Sequence, residues 1–192
     1  MEWTTAGLRA AGFGGLVPFA DLPEAEVPNE PGVYVIVRDT IDAPELLNVN
    51  PAGWFKGRDP SVILAKLESN WITGASVVYI GTATGGAHGR RTLQKRLDEY
   101  RRHGSGKAVA HWGGRYIWQL ADSARLLVCW RTTTSDQAES LESELIDNFE
   151  TALGIRRRAT RPDRQPLAMS ARLLDDAGSI SSPRTQSADR EC

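Results

Sequence analysis

The chain has 192 residues, a hydrophobic content of 41%, a charged content of 24% and a formal net charge of −1. These values are typical of one soluble globular domain, and the near-zero net charge argues against a protein that coats nucleic acid nonspecifically. Without an apolar run of about 18 residues, we expect no membrane span. Cys129 and Cys192 form neither a CxxC pair nor a disulfide framework, so we expect a cytoplasmic protein.

The first half of the chain predicts two strands separated by a long mixed segment. Residues 1–30 are an N-terminal lead-in rich in proline, in which we expect a short helix or turn. Apolar and β-branched runs predict strands at VYVIV (33–37) and VVYIG (77–81). Residues 39–75 between them contain loop-like sequence and then SVILAKLESNWI, whose apolar spacing is helical.

A basic helix follows the second strand. Apolar residues at i, i+4 and i+7 predict this helix from about Thr92 to His103. The sequence HWGGRYIWQ (111–119) predicts a turn that leads into a short strand, and ARLLVCWRTT (124–133) predicts a third core strand.

The last predicted element is a helix, and a compositionally different tail follows it. Asp136, with Glu139 three residues later, predicts a capping box at the helix start, and Gly154 predicts its end. Residues 156–192 contain eight arginines, five serines and three prolines with few large apolar residues. This composition predicts a mostly disordered tail.

Basic residues concentrate around the predicted basic helix. Residues 90–115 contain eight basic and two acidic residues. A focused patch can attract a polyanion although the whole molecule is nearly neutral. The alternative, an ordinary solvated helix face, would carry more interleaved acids. We therefore expect phosphate contacts from Arg90, Arg91, Lys95, Arg101, Arg102 and Lys107.

Five side chains are candidates for chemistry on a phosphate. Tyr34 and Tyr79 lie in the first two core strands, and both phenols emerge on the same face if those strands pair. Arg96 and Tyr100 are four residues apart and share one side of their helix. Glu142 lies on the last helix at the edge of its apolar stripe. Phosphodiester hydrolysis needs a cation, a metal-binding carboxylate and a base in one place.

Four short motifs, GVY, VYIG, LxxRLxxY and AxxLExxLI, occur in this order. Together they resemble the GIY-YIG nuclease superfamily over residues 31–155. The resemblance implies an α/β (α+β) domain with a small antiparallel three-stranded sheet flanked by helices, and residues 39–75 inserted between the first two core strands. It also implies a DNA endonuclease that uses one Mg²⁺ or Mn²⁺ ion. Branched, damaged and single-stranded DNA remain open as substrates, as does the oligomeric state.

The resemblance also implies a role for each candidate. Tyr34 matches the tyrosine proposed as general base or water-positioning group, and Tyr79 matches a tyrosine near the phosphate. Arg96 matches the arginine that stabilises the pentacovalent phosphate, and Tyr100 matches a further active-site aromatic residue. Glu142 matches the metal-binding carboxylate.

Some features depart from the family pattern. The two strand tyrosines are 45 positions apart, far more than a hairpin connection needs. Thr82 stands where the family often has lysine, and no asparagine follows Asn148. Gly81 keeps the family's glycine, which lets the backbone pass close to nucleic acid. Two alternatives therefore stay open: a GIY-YIG module that binds nucleic acid without cutting it, and an interaction domain whose basic patch binds an acidic protein.

Each candidate also has a purely structural interpretation. Tyr34 and Tyr79 could be strand aromatics that pack at the sheet edge. Arg96 could be a surface helix charge. Glu142 could be one exposed acid among several on its helix.

Histidines and further aromatic residues complete the candidates. The spacing of the histidines fits no zinc-ligand pattern, so we expect loop residues, with His103 a candidate phosphate contact. The aromatic residues could stack on unpaired bases or pack in the core, and core packing is favoured for Trp118 and Trp130. These residues are His88, His103, His111, Trp112, Tyr116, Trp118 and Trp130.

Overall fold

A computed structural model describes residues 1–85, 91–109 and 111–154. The predicted DNA contact Arg90, the predicted loop residue His88 and the predicted disordered tail, residues 156–192, lie outside the described residues. The side chain of Trp112 also lies outside them.

The described residues form four strands and five α-helices, joined by loops and three short 3-10 turns. In chain order they are α1 (Thr5–Ala10), β1 (Gly14–Pro18), β2 (Gly32–Val37), α2 (Leu64–Ser69), β3 (Val77–Ala83), α3 (Leu93–Gly104), α4 (Arg115–Trp118), β4 (Leu127–Thr132) and α5 (Ser135–Ala152). None of these helices combines the length and apolarity needed to cross a membrane.

The strands form one antiparallel sheet in the order β1-β4-β2-β3. The α/β class and the three predicted core strands are confirmed, but the three-stranded sheet is a correction, because β1 adds a fourth strand. β1 pairs with β4 through a bulge between Gly15 and Val17. Two glycines and a proline are unfavourable in strands, so the β1 residues carry little local β signal. In the fold, Gly15 has a φ of 81° and lies against the Trp130 ring, where a Cβ would overlap the ring.

Helices cover both faces of the sheet. On one face, α1 and α5 pack on side chains that alternate along the strands, including Val33, Val35 and Ile80. On the other face, α3 and α4 pack on the intervening residues, including Tyr34 and Tyr79. This alternation follows from the two-residue period of a strand. It places the two strand tyrosines under the basic helix α3.

Of residues 111–119, predicted as a turn and a strand, residues 112–118 are helical. A Cβ on Gly114 would overlap the Tyr100 ring, so the glycine allows this segment to fold tightly over α3. Ile117 and Trp118 are buried on α4. Tertiary packing therefore overrides the β-propensity of the Tyr-Ile-Trp sequence, and the predicted strand is wrong.

The last helix starts two residues earlier than a cap at Asp136 would place it. Thr134 is the N-cap of α5, and Asp136 lies in the first turn, where a carboxylate favours the positive end of the helix dipole. The predicted capping box is therefore wrong. The predicted stop is confirmed, because α5 ends at Ala152 and Gly154 follows with a φ of 66°.

Residues 39–75 connect β2 to β3 and pack against α4. The buried Gln119 accepts a hydrogen bond from the Val62 N–H at 2.8 Å and donates one to the Val62 carbonyl at 2.8 Å. Asn50 donates a side-chain hydrogen bond to the carbonyl of Arg115. These bonds hold the segment beside α4; its status as an insertion stays a prediction.

Candidate active site

Three tyrosines from three elements meet under α3. Tyr34 of β2 lies opposite Gly81 of β3, which places it diagonally beside Tyr79. The Tyr34 and Tyr79 rings stack with centroids 5.9 Å apart and an interplanar angle of 20°. Tyr100 of α3 presents its edge to both rings, at 6.2 Å from Tyr34 and 5.6 Å from Tyr79. The structure therefore brings together three of the candidate residues.

Gly81 makes room for the paired rings. A Cβ at Gly81 would lie 2.6 Å from the Tyr79 ring and 2.7 Å from the Tyr34 hydroxyl oxygen. Any larger residue would have to displace one of these rigid rings. The structure thus gives this glycine a packing reason; its predicted contact with nucleic acid stays a prediction.

The hydroxyls of the three tyrosines are buried without hydrogen-bond partners in the described part of the chain. Each of these side chains is at most 1% exposed. A buried hydroxyl without a partner costs about 1–3 kcal/mol, so native proteins rarely leave several in one place. Three such groups at one point mark a candidate site for a polar ligand.

Arg96 and Glu142 act electrostatically on the first of these phenols. Burial is the largest influence on the Tyr34 hydroxyl and raises its pKa, and the negative charge of Glu142 raises it further. The positive charge of Arg96 opposes both. Tyr79 and Arg96 also lie close enough to the Tyr34 hydroxyl to lower its pKa, although this hydroxyl has no hydrogen-bond partner among the described residues. The Tyr34 hydroxyl is therefore within electrostatic reach of both a cation and a carboxylate.

The other two tyrosines are held neutral. Burial raises the pKa of Tyr79 well above its usual value, and Tyr34 and Tyr100 add to the rise. Burial likewise raises the pKa of Tyr100 well above its usual value. At neutral pH both groups are O–H donors, which suits contacts with anionic phosphate oxygens.

Glu142 is buried, with 1% of its surface exposed. The interpretation of Glu142 as an exposed helix acid is therefore wrong. The described residues hold no cluster of three or more His, Cys, Asp or Glu side chains that could bind a metal. Mg²⁺ usually keeps several waters and binds through one or two carboxylates plus substrate phosphates. A single buried carboxylate such as Glu142 is compatible with that donor set.

Two histidines, which the motifs did not place in the site, also lie in this cluster. His103 lies in the last turn of α3, as the predicted helix bounds placed it, so the loop interpretation of this histidine is wrong; His111 follows that helix. The His111 ring lies over Tyr100 with centroids 3.9 Å apart, and the His103 ring lies 6.4 Å from His111. The position of His103 three residues after Tyr100 on one helix face was a usable signal for the first histidine. No comparable signal existed for His111.

Both imidazoles are held neutral. Burial lowers the pKa of His103 to about 4; the nearby Gly53 backbone opposes this shift, and the charge of Arg115 adds to it. Burial lowers the pKa of His111 well below its usual value, with smaller contributions from Arg96, His103 and Arg91. All four ring nitrogens are buried and have no hydrogen-bond partner among the described residues.

The predicted phosphate contacts extend from the site along the outside of α3. Arg101 donates a hydrogen bond to Asp98 at 2.8 Å, and Arg102 lies 3.8 Å from the same carboxylate. The exposed members of the set are Arg91, Lys95, Arg102 and Lys107, while Arg101 is half-buried. Their contact with DNA stays a prediction.

The predicted aromatic stacking surface is largely internal. Trp118, Trp130 and Tyr116 are each at most 7% exposed and belong to the core. Core packing, the favoured alternative for Trp118 and Trp130, is therefore confirmed. An exposed aromatic residue lies elsewhere, at Trp54.

Comparison with known proteins identifies no relative of this chain that could assign a role to the site. No family model matches the chain, and neither the curated proteins nor the solved structures contain a match. The resemblance to GIY-YIG nucleases therefore rests on the four motifs alone.

Proposed function

We propose that the chain is a metal-dependent DNA endonuclease of the GIY-YIG type. One observation carries the proposal: three buried tyrosine hydroxyls without described hydrogen-bond partners meet in one cluster, and one of them, that of Tyr34, is under the charges of both Arg96 and Glu142. Such a combination of burial and opposed charges is characteristic of functional sites. A free, buried thiol at Cys129 is compatible with the cytoplasm as its compartment.

The scissile phosphate is bound by cationic and neutral donors. Arg96 is half-buried, and its guanidinium offers several N–H donors to charge that develops on the phosphate oxygens. Tyr79 and Tyr100 are neutral O–H donors whose rings are fixed by mutual packing. These groups favour the pentacovalent phosphate because its equatorial oxygens carry the most negative charge.

Tyr34 handles the attacking water. The water oxygen forms the new bond to phosphorus, its proton passes to the Tyr34 phenolate, and the bond from phosphorus to the leaving sugar oxygen breaks. The leaving alkoxide takes up a proton from solvent. The charge of Arg96 favours the phenolate, whereas burial disfavours it.

Glu142 would hold the metal in this proposal. When bound there, Mg²⁺ or Mn²⁺ would supply positive charge that helps to neutralise the phosphate. The buried position of Glu142 gives the carboxylate a fixed orientation.

Nicking of supercoiled plasmid in Mg²⁺ and Mn²⁺ tests the proposal. Glu142→Gln keeps the shape of the side chain and removes its charge, so we expect loss of nicking by at least about 100-fold, a magnitude typical for a key electrostatic group. EDTA should have the same effect. Glu144→Gln, at an exposed acid on the same helix, is the matched control and should nick normally. Nicking by Glu142→Gln at the native rate would overturn the assignment of the site.

A binding module that does not cut DNA is the second candidate. Thr82, which stands where the family often has lysine, donates its hydroxyl to the Gly32 carbonyl at 3.2 Å and is thus used structurally. The raised pKa values of all three tyrosines also disfavour a phenolate. Salt-sensitive DNA binding that survives Glu142→Gln, without product from branched or plasmid DNA, would favour this candidate.

A further inference from the structure

A second surface with features of a nucleic-acid contact lies in the segment between β2 and β3. Residues 54–58, WFKGR, form a tight turn that we name the Trp-turn. Phe55 and Arg58 pair across it, and the two central residues, Lys56 and Gly57, have φ values of 51° and 71°. Two consecutive residues with positive φ define a compact turn of the kind found in two-residue hairpins.

The Trp-turn is anchored to the helices that build the candidate active site. The Gly53 N–H donates to the His103 carbonyl at 2.8 Å, and a Cβ at Gly53 would overlap the Lys107 carbonyl. Asn50 donates to the Arg115 carbonyl and accepts a hydrogen bond from the Ala52 N–H at 2.9 Å. These contacts join the base of the turn to the end of α3 and the start of α4.

The anchored turn combines an exposed aromatic ring with nearby exposed cations. Trp54 is 57% exposed, although tryptophan is highly buried on average. Lys56 and Arg58 are exposed beside it, and Lys107 is exposed next to Gly53. Asp59, the nearby acid in the segment, accepts a hydrogen bond from the Ser61 N–H at 2.8 Å. The exposed cations suit phosphates, and the exposed ring suits a base face.

We propose that the Trp-turn binds single-stranded nucleic acid, with Trp54 stacked on an unpaired base and Lys56, Arg58 and Lys107 in contact with the adjacent phosphates. Base stacking on an aromatic residue combined with backbone neutralisation is the general mode of single-strand binding. If the protein is the proposed nuclease, this binding means that its substrate includes an unpaired strand; that part of the inference rests on the proposed function. The binding itself stands on the turn and requires no cleavage.

Fluorescence anisotropy with a labelled oligothymidylate and a duplex of equal length, both in EDTA, tests this inference. Trp54→Ala should weaken single-strand binding about 5- to 150-fold, the range expected for loss of one stacked base. Duplex binding should change less than single-strand binding. Trp54→Phe should retain most of the affinity. Ile63→Ala, at a 74% exposed apolar residue of the same segment, is the matched control and should bind normally.

The outcomes separate this inference from the proposed function. The role of the Trp-turn would be overturned, even with intact plasmid nicking, if Trp54→Ala bound single-stranded DNA with native affinity. It would also be overturned if Ile63→Ala lost as much single-strand affinity as Trp54→Ala. Failure of the native protein to bind oligothymidylate would also overturn it. Trp54-dependent binding by a protein that never nicks DNA would support the Trp-turn and count against the nuclease. Thermal unfolding of each variant checks that the exposed substitution leaves the fold unchanged.

Discussion

Two opposing influences act on the hydroxyl of Tyr34. Burial disfavours the phenolate, and the neighbouring charge of Arg96 favours it. Burial prevails, so the pKa of Tyr34 lies above its ordinary value. If Tyr34 is the base, only the small fraction of protein molecules that carry the Tyr34 phenolate is active at neutral pH, and that fraction grows with pH.

The nicking rate should therefore rise about tenfold per pH unit from pH 7 to 9 under single-turnover conditions, because the phenolate fraction rises tenfold per unit below the pKa. Tyr34→Phe should abolish the rise and most of the activity. The measurement is single-turnover plasmid nicking in Mg²⁺ across this range. A pH-independent rate in the native protein would show that Tyr34 does not act as the base.

Gly81 is the residue on which the tyrosine pair depends. In Gly81→Ala the new methyl group would lie 2.6 Å from the Tyr79 ring and 2.7 Å from the Tyr34 hydroxyl. Relief of this overlap requires the rings or the strand to move, which we expect to destabilise the protein by about 1–3 kcal/mol. Urea unfolding gives the change in stability. Gly57→Ala provides a contrast, since nothing lies within 4 Å of the position its methyl group would take and only the backbone strain at φ 71° applies. An unchanged urea midpoint in Gly81→Ala would contradict the packing argument.

At the scale of elements, α3 joins the core, the site and the basic surface. Its inner face buries Leu97 and Tyr100, and its last turn buries His103. Its outer face presents Lys95 to solvent. The segment that carries His111 folds back over this helix and closes the far side of Tyr100.

The two buried histidines should make the stability of the protein fall in mild acid. Their folded pKa values are lowered, so the unfolded chain binds more protons below its own histidine pKa of about 6.5. The stabilisation is complete above about pH 6.5. Each histidine loses it as pH falls towards its lowered folded pKa, which is about 4 for His103, by up to about 1.4 kcal/mol per pH unit. Charges that face the pair and oppose its protonation come from Arg91, Arg96 and Arg115.

Urea unfolding between pH 8 and pH 5 measures this dependence. His103→Gln/His111→Gln should show a shallower loss of stability over that range than the native protein. Comparison at pH 8, where both histidines are neutral in either state, isolates the packing cost of the substitutions. Equal slopes for the two proteins would mean that other groups govern the acid sensitivity.

At the scale of the whole molecule, a nearly neutral chain carries a local excess of positive charge in residues 90–115. The exposed cations of that region include Lys95 and Lys107, on and just after α3. A protein of this kind should bind DNA through a limited number of phosphate contacts, and each contact releases counterions.

Lys95→Gln/Lys107→Gln should reduce the slope of log affinity against log salt concentration by about 2, close to one unit per lost phosphate contact. DNA titrations between low and moderate salt measure the slope. Arg125→Gln is the control, because Arg125 is 64% exposed and lies outside residues 90–115. A similar change of slope in the control would show that binding does not depend on the α3 surface.

The sequence predicted the three core strands and both long helices because each has a strong local pattern. The runs at β2, β3 and β4 are rich in β-branched and aromatic residues, and α3 has regular apolar spacing. It did not predict β1 or α4, because the β1 sequence has weak strand propensity and the α4 sequence favours a strand. Both depend on distant partners: Gly15 lies against Trp130, and Gly114 lies against Tyr100.

For the candidate site, the sequence by itself determined the residue types and their order, since the motifs place tyrosines on strands and Arg96 and Tyr100 on one helix face. Only the tertiary structure decided that Glu142 is buried, that His111 lies over Tyr100 and that Trp54 is exposed. The physical reason is that local periodicity fixes which face of an element a residue occupies. Burial and contact depend on what other elements, far away in sequence, bring to that face.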